Sequence, residues 1–116
     1  MSKIIVAVST SYLAEDTVMS LLKGGFVAKV ARISYNVHRG LPMMEEPNKY
    51  PLILEGTLGN SPLQVHVTSV TAGYGGTGPL TMVDLLNAAG FMFDKNDILT
   101  PKYADYSGQI DLTYYR

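Results

Sequence analysis

A small α/β domain is the fold class that the sequence predicts, and three observations support this prediction. The chain has 116 residues, which is the length of one domain. Apolar residues make up 47% of it and charged residues only 16%, as in a globular protein with a core to bury. Apolar runs of strand type alternate with segments of helical periodicity. We therefore expect a single domain over residues 1–116, with a mixed sheet of about five to six strands and two helices.

The N-terminal segment predicts a strand followed by a helix. Ile4–Val8 is a continuous apolar run, typical of a strand that is buried on both faces. Apolar residues then recur at helical spacing from Leu13 to Leu22, with Glu15 and Asp16 expected in the first turn, where the helix dipole favours acids. Gly24-Gly25 is expected to end this helix.

Three strands are predicted in the middle of the chain. Residues 26–37 form a long strand pattern whose apolar phase shifts between Val30 and Ile33, which predicts a β-bulge. Residues 52–58 and 63–71 predict two more strands, joined at Gly-Asn-Ser-Pro in a hairpin.

The C-terminal part predicts a second helix and two further strands. Pro79 suits the first helical position, the helix continues from Leu80 to Ala89, and Gly90 ends it. Residues 97–100 predict a short strand, and residues 109–116 a tyrosine-rich final strand. Exposed tyrosines at this density favour an interface between subunits, and an ordinary edge strand fits them equally.

Charge and composition restrict the classes of partner. The net charge is −1 and the nine Lys and Arg residues are scattered, so the basic patch of a nucleic-acid-polymer or membrane binder is missing. The chain has no cysteine, and the N-terminal apolar run is too short to span a membrane, so we expect a cytoplasmic protein. His38 and His66 lack metal-ligand spacing and receive no site role, and we expect neither a metal nor a cofactor.

Residues 73–79 form a glycine-rich turn, Gly-Tyr-Gly-Gly-Thr-Gly-Pro, between a strand and a helix. Such a turn lets the backbone approach a ligand and presents N–H groups to an anion. Its spacing matches Gly-x-Gly-x-x-Gly, but too few residues follow Asp94 for a dinucleotide fold. It also matches a P-loop in part, but Pro79-Leu80 stands in place of the Lys-Ser/Thr pair. A turn that only packs tightly is the alternative to a ligand site.

A family resemblance extends from this turn to its neighbours. Residues 54–67, Thr71–Gly76 with Pro79, and the helix that ends at Gly90 resemble the N-terminal half of the purine and uridine nucleoside phosphorylases. Residues 36–41 resemble the Arg-Gly segment of that family, whose arginine reaches the phosphate in the active site of a neighbouring subunit. Residues 9–11 fall where the family keeps a Gly-Asp phosphate loop.

The resemblance implies a ligand site with two parts. A phosphate group would be held by the cation of Arg39 and by hydroxyl and N–H groups at the start of a helix. A nucleoside would lie on the glycine-rich turn, with an aromatic ring positioned to stack on its base. The implied ligand-binding residues are Ser9, Thr10, Ser11, Arg39, Gly73, Tyr74, Gly75 and Gly76.

The departures from the family bear on catalysis. Ser-Thr-Ser replaces the Gly-Asp phosphate loop, Thr77-Gly78 is inserted before the proline, and the sequence stops short of the strands that carry the ribose-binding glutamate and the acid that protonates the purine. The implied function is therefore non-catalytic: a homo-oligomer that sequesters a phosphorylated nucleoside or a cyclic nucleotide signal. A phage protein that counters nucleotide-based defence in the host cytoplasm would fit this description.

Two alternatives stay open from the sequence. One is a minimal nucleoside phosphorylase or nucleosidase, with Asp84, Asp105 or Asp111 as its acid. The other is a structural protein in which the glycine-rich turn has no ligand.

Overall fold

A computed structural model of the chain describes residues 4–8, 11–36, 51–67, 70, 77–100 and 109–116. Its side chains are described at residues 15–35, 51–67, 70, 78–100 and 110–116. The elements in chain order are β1 (Ile4–Val8), α1 (Ser11–Lys23), β2 (Phe26–Asn36), β3 (Leu52–Leu58), β4 (Ser61–Val67), α2 (Thr77–Ala88), α3 (Lys95–Leu99) and β5 (Gln109–Tyr115). The predicted small α/β domain is confirmed.

The strands form one sheet in the order β1-β4-β3-β2-β5. Four of them, β4, β3, β2 and β5, are antiparallel to their neighbours, and β1 adds to β4 in parallel. Because two antiparallel junctions separate β4 from β2, the strands β1, β4 and β2 all run in the same direction. The unit β1-α1-β2 is thus a crossover between parallel strands, and the β3-β4 hairpin lies between those two strands.

The core lies on one face of the sheet, and the helices cover that face. Buried residues of α1, α2 and α3, among them Val18, Leu85 and Ile98, form one cluster with inward residues of the sheet. The buried sheet residues of this cluster are Phe26, Ala28, Ala31, Ile33, Tyr35, Leu52, Leu54, Leu63, Val65, Val67 and Ile110. We call the other side of the sheet the far face.

A β-bulge in β2 explains its shift of apolar phase. The pairing of β2 with β3 passes from Ala28 opposite Gly56 to Val30 opposite Glu55, so Lys29 is the extra residue. Burial accordingly changes from even to odd positions along β2. The predicted bulge is present, slightly earlier in the strand than the sequence pattern indicated.

Gly56 lies opposite the bulge, where the two backbones approach each other closely. A Cβ atom built on Gly56 would lie 1.9 Å from the carbonyl oxygen of Val27 and 2.9 Å from Cα of Ala28. Real Cβ atoms do not approach backbone atoms within 3.0 Å. Only glycine therefore fits this position without a shift of β2.

The β3-β4 hairpin turns through two residues, Gly59 and Asn60, since Leu58 pairs with Ser61. Gly59 has φ +62°, as the first central residue of a type II′ turn requires. The predicted hairpin is confirmed, with a turn shorter than the four residues Gly-Asn-Ser-Pro.

Helix α2 ends in a Schellman motif. The N–H of Gly90, at φ +89°, donates to the carbonyl of Asn87, and the N–H of Phe91 donates to the carbonyl of Leu86. Helix α1 ends similarly, with Gly25 at φ +104° donating to Leu22 and a buried Phe26 following. Residues 21–26 and 86–91 share the pattern Leu-x-x-x-Gly-Phe. They are alike because both end a helix at a glycine with positive φ. Both predicted helix stops are confirmed.

Three expectations about the helices were wrong. Helix α1 begins at Ser11, so Glu15 and Asp16 lie beyond its first turn. Helix α2 begins at Thr77, so Pro79 occupies its third position rather than its first. The N–H groups of the first helical turn have no acceptor within the helix, so a proline at the third position removes no hydrogen bond. The expectation of two helices also failed, since the described residues contain three.

The third helix, α3, replaces the strand predicted at residues 97–100. The side chain of Asp94 accepts a hydrogen bond from the backbone N–H of Asn96 at 2.9 Å, which is an N-cap. Ile98 fills the core from this short helix. A local side-chain cap thus overrides the weak strand pattern. The predicted burial of β1 on both faces lies outside the described side chains.

Candidate functional site

Three parallel strands end on the same side of the sheet, which we call the carboxyl rim. The last residues of β1 and β4, Val8 and Val67, are paired with each other. Val67 also pairs with Leu52, the first residue of β3. Asn36, the last residue of β2, pairs with Gln109, the first residue of β5. The turns at Gly24-Gly25 and Gly59-Asn60 lie at the opposite rim.

Helices α1 and α2 both begin at the carboxyl rim. Helix α1 begins directly after β1 and ends where β2 begins, at the opposite rim. The end of α2 lies there too, because a Cβ atom built on Gly90 would lie 3.2 Å from the guanidinium of Arg116. Arg116 in turn donates its backbone N–H to Lys29 at 2.9 Å. The N-terminal N–H groups and the positive dipole ends of both helices therefore face the carboxyl rim.

One predicted site residue lies within the described backbone. Ser11 is the first residue of α1 and thus lies at the carboxyl rim. The other predicted site residues, Ser9, Thr10, Arg39, Gly73, Tyr74, Gly75 and Gly76, lie outside the described residues.

The described residues on either side of the segments that carry these site residues can be placed in the fold. Residues 9–10 join β1 to α1, residues 37–50 join β2 to β3, and residues 71–76 join Val70 to the start of α2. The described residues Val8, Ser11, Asn36, Leu52 and Thr77, which flank these segments, lie at the carboxyl rim. A shared site for Ser11, Arg39 and the glycine-rich turn stays a prediction.

A row of four polar side chains crosses the far face from β2 to β4, and we call it the polar row. The guanidinium Nε of Arg32, on β2, lies 3.3 Å from Oε1 of Glu55, on β3. The amide Nε2 of Gln64 donates to the same oxygen at 3.0 Å. The amide oxygen of Gln64 lies 3.1 Å from Nε2 of His66. Each side chain of the row thus contacts the next one, across three strands.

The polar row sets the protonation of His66. Because the amide nitrogen of Gln64 is committed to Glu55, its oxygen accepts, and Nε2 of His66 must carry the proton. Burial lowers the pKa of His66 from its ordinary value, and the charge of Glu55 opposes this shift only in part. His66, which is 7% exposed, is therefore a neutral imidazole at neutral pH, one residue from the end of β4.

Sequence reasoning missed the polar row, although a signal for it was present. Counting back from a two-residue turn at Gly59-Asn60 places Glu55 opposite Gln64, and His66 two residues further along β4 on the same face. The expected four-residue turn concealed this register. Predicting the polar row requires the correct register of the β3-β4 hairpin, and predicting its hydrogen bonds also requires the positions of the side chains.

The proposed catalytic acids do not come together. Asp84 is exposed on α2, which covers the core face, whereas Asp111 is exposed on β5 and points to the far face. Asp105 lies outside the described residues. Asp84 and Asp111 thus lie on opposite sides of the sheet, and which of the three candidates could serve as an acid stays a prediction.

Comparison with known proteins gives no relative. No protein-family model, curated protein or solved structure matches the chain. The resemblance to nucleoside phosphorylases therefore stays a prediction. Gly56 and Thr57, which belong to the stretch 54–67 that carries this resemblance, lie inside β3.

Two further features were searched for among the described residues. None of their His, Asp and Glu side chains form a group of three or more that could hold a metal ion. None of the described helices is long and apolar enough to cross a membrane.

Proposed function

We propose that the chain binds a phosphorylated nucleoside or a cyclic nucleotide at the carboxyl rim and holds it without turnover. One observation carries the proposal: the carboxyl ends of β1, β4 and β2 and the starts of α1 and α2 lie at the same rim. Ligands of α/β sheets bind outside the carboxyl ends of the strands. Helix N-termini add N–H donors and a positive dipole for a phosphate.

Each part of the ligand then has a proposed contact. The phosphate is bound by N–H and hydroxyl groups of Ser9, Thr10 and Ser11 at the start of α1, and by the guanidinium of Arg39. The base stacks on the ring of Tyr74. Gly73, Gly75 and Gly76 allow the backbone to approach the nucleoside closely.

We propose binding without turnover rather than catalysis because no acid is assigned to protonate a leaving base. Glycosidic cleavage needs a proton donor next to the leaving base. The two described candidates, Asp84 and Asp111, are exposed on opposite faces of the sheet. Sequestration of a nucleotide signal by a homo-oligomer is therefore the proposed role. Countering a nucleotide-based defence in the cytoplasm of a phage host is the setting we propose for it.

A thermal-shift experiment tests this function. The chain is melted with nucleosides, nucleoside monophosphates, cyclic mononucleotides and cyclic dinucleotides, each in excess. A ligand at a hundredfold excess over its Kd stabilises the fold by about 2.7 kcal/mol. We expect stabilisation by phosphorylated ligands but not by free nucleosides. Mass spectrometry should recover the ligand intact, and recovery of the free base would show an enzyme instead.

Two charge-removing variants locate the site. Arg39→Ala should lose stabilisation by phosphorylated ligands, because it removes the proposed phosphate cation. Lys23→Ala is the matched control, since it removes an exposed cation at the end of α1, at the opposite rim. Equal loss in both variants, or none in Arg39→Ala, would contradict the assignment of Arg39.

A further inference from the structure

Strand β5 is the outer strand of the sheet next to β2, and one of its sides has no neighbour among the described strands. Its seven residues pair with β2 in an unbroken register. The strand contains no lysine, no proline and no bulge, which are usual devices that keep outer strands apart, and its one charged residue, Asp111, lies outside residues 112–116. Its outer backbone edge is therefore not interrupted by a bulge or a proline.

The direction of the backbone groups in β5 follows from one hydrogen bond. The N–H of Arg116 donates to the carbonyl of Lys29, so these two residues form a hydrogen-bonded pair. Such pairs alternate along an antiparallel ladder, so Tyr114 and Leu112 also bond to β2. The backbone N–H and C=O groups of Thr113 and Tyr115 consequently point away from the sheet.

The side chains at these positions suit a second copy of the same strand. If two copies of β5 pair in antiparallel orientation about Tyr114, Thr113 of each copy lies opposite Tyr115 of the other, which gives two equivalent pairs. Aromatic and β-branched residues form favourable cross-strand pairs. Thr113 is exposed and Tyr115 is 71% exposed in one chain, so both have area to bury. On the core face, Tyr114 lies opposite its own copy as an aromatic pair.

We propose that β5 is a dimer interface, in which two copies of the chain join their sheets through antiparallel pairing of residues 112–116. The occupant is a second copy because a twofold axis through Tyr114 places the exposed Thr113 of each copy opposite the exposed Tyr115 of the other. The interface lies on the outer edge of β5 and is separate from the ligand proposal, which can fail without affecting it.

Sedimentation velocity over a concentration series tests the dimer. We expect a species of twice the 12.6 kDa chain mass for the wild type. Thr113→Pro should weaken dimerisation roughly a hundredfold, since both copies lose an interchain donor and leave an acceptor unpaired. The fold should survive, because the N–H removed takes no part in the β2-β5 ladder. A monomeric wild type, or a dimeric Thr113→Pro, would overturn the proposal.

A second pair of variants protects the test from misfolding. Thr113→Lys should also give a monomer, whereas Thr57→Lys, an exposed threonine on the far face of the interior strand β3, should leave the dimer unchanged. Dissociation by both variants would contradict the surface proposed.

Cysteine cross-linking tests the register. The chain has no cysteine of its own, so Thr113→Cys and Tyr115→Cys each introduce a unique thiol. In a hydrogen-bonded antiparallel pair the Cα atoms lie about 5.5 Å apart, within the range of a disulfide. A mixture of the two variants should form the mixed disulfide faster than either variant forms its own. Faster self-linkage of Thr113→Cys would refute the axis through Tyr114.

Discussion

Substitution of Gly56 by alanine should be among the most damaging single-methyl changes in this protein. The added Cβ would lie 1.9 Å from the carbonyl oxygen of Val27, 2.8 Å from its carbonyl carbon and 2.9 Å from Cα of Ala28. All three atoms belong to the backbone, so no side chain can rotate to make room. The backbone of β2 must move away by about 1 Å to restore a normal contact.

The cost follows from what that movement disturbs. Overpacking of a well-packed interior costs about 1–3 kcal/mol. The shift also strains the hydrogen bonds beside the bulge at Lys29, at about 1 kcal/mol for each bond. Alanine also stabilises the folded state by about 0.4–1 kcal/mol, because it lowers the conformational entropy of the unfolded chain. The expected net loss is about 3 kcal/mol, a large part of the stability of a small domain.

Urea denaturation followed by far-UV circular dichroism measures this loss. Gly59→Ala is the matched control, because a Cβ on Gly59 has no atom within 4 Å and meets only the strain of φ +62°. We expect this control to lose about 1–2 kcal/mol. If Gly56→Ala is no less stable than Gly59→Ala, the close approach of β3 to the bulge is wrong.

Three further predictions concern other parts of the fold. Since burial lowers the pKa of His66, the free energy of unfolding should fall as the pH drops below about 6.5, where the unfolded chain binds a proton that the folded chain does not. His66→Gln should flatten this dependence of stability on pH. An equal effect of His38→Gln would refute the assignment of the dependence to His66. Tyr114→Phe should cost about 1 kcal/mol in denaturation, because the hydroxyl donates to Asp97 at 3.1 Å; unchanged stability would show that this bond contributes nothing. Gly90→Ala should cost about 1–2 kcal/mol through its φ of +89°, and a neutral result would contradict the Schellman end of α2.

The sequence predicted the elements that depend on strong local signals. Glycines at helix ends and in the hairpin predicted where α1, α2 and the β3-β4 hairpin end, since positive φ is a local requirement. The phase shift in β2 predicted its bulge because one extra residue changes which side chains of a strand face the core. The short helix α3 was missed, because its five residues are too few to show a helical period of apolar residues. Its N-cap residue, Asp94, belongs to a residue type that is also common in turns.

The arrangement of the strands could not be predicted in the same way. The order β1-β4-β3-β2-β5 depends on contacts between distant residues, such as Val8 with Val67, that no local pattern contains. This order brings the starts of α1 and α2 and the attachment points of the predicted ligand segments to one rim. The polar row likewise depends on register, because Arg32 and Glu55 meet only across two strands.

Hydrogen–deuterium exchange with the nucleotide that gives the largest thermal shift tests the ligand site most directly. Amides at the start of α1, at Ser11, and at the start of α2, at Thr77, should exchange more slowly in the complex. Amides of the turn at Gly59-Asn60, on the opposite rim, should exchange as before. Slowed exchange at that turn alone, or no thermal shift with any phosphorylated nucleoside, would contradict binding at the carboxyl rim.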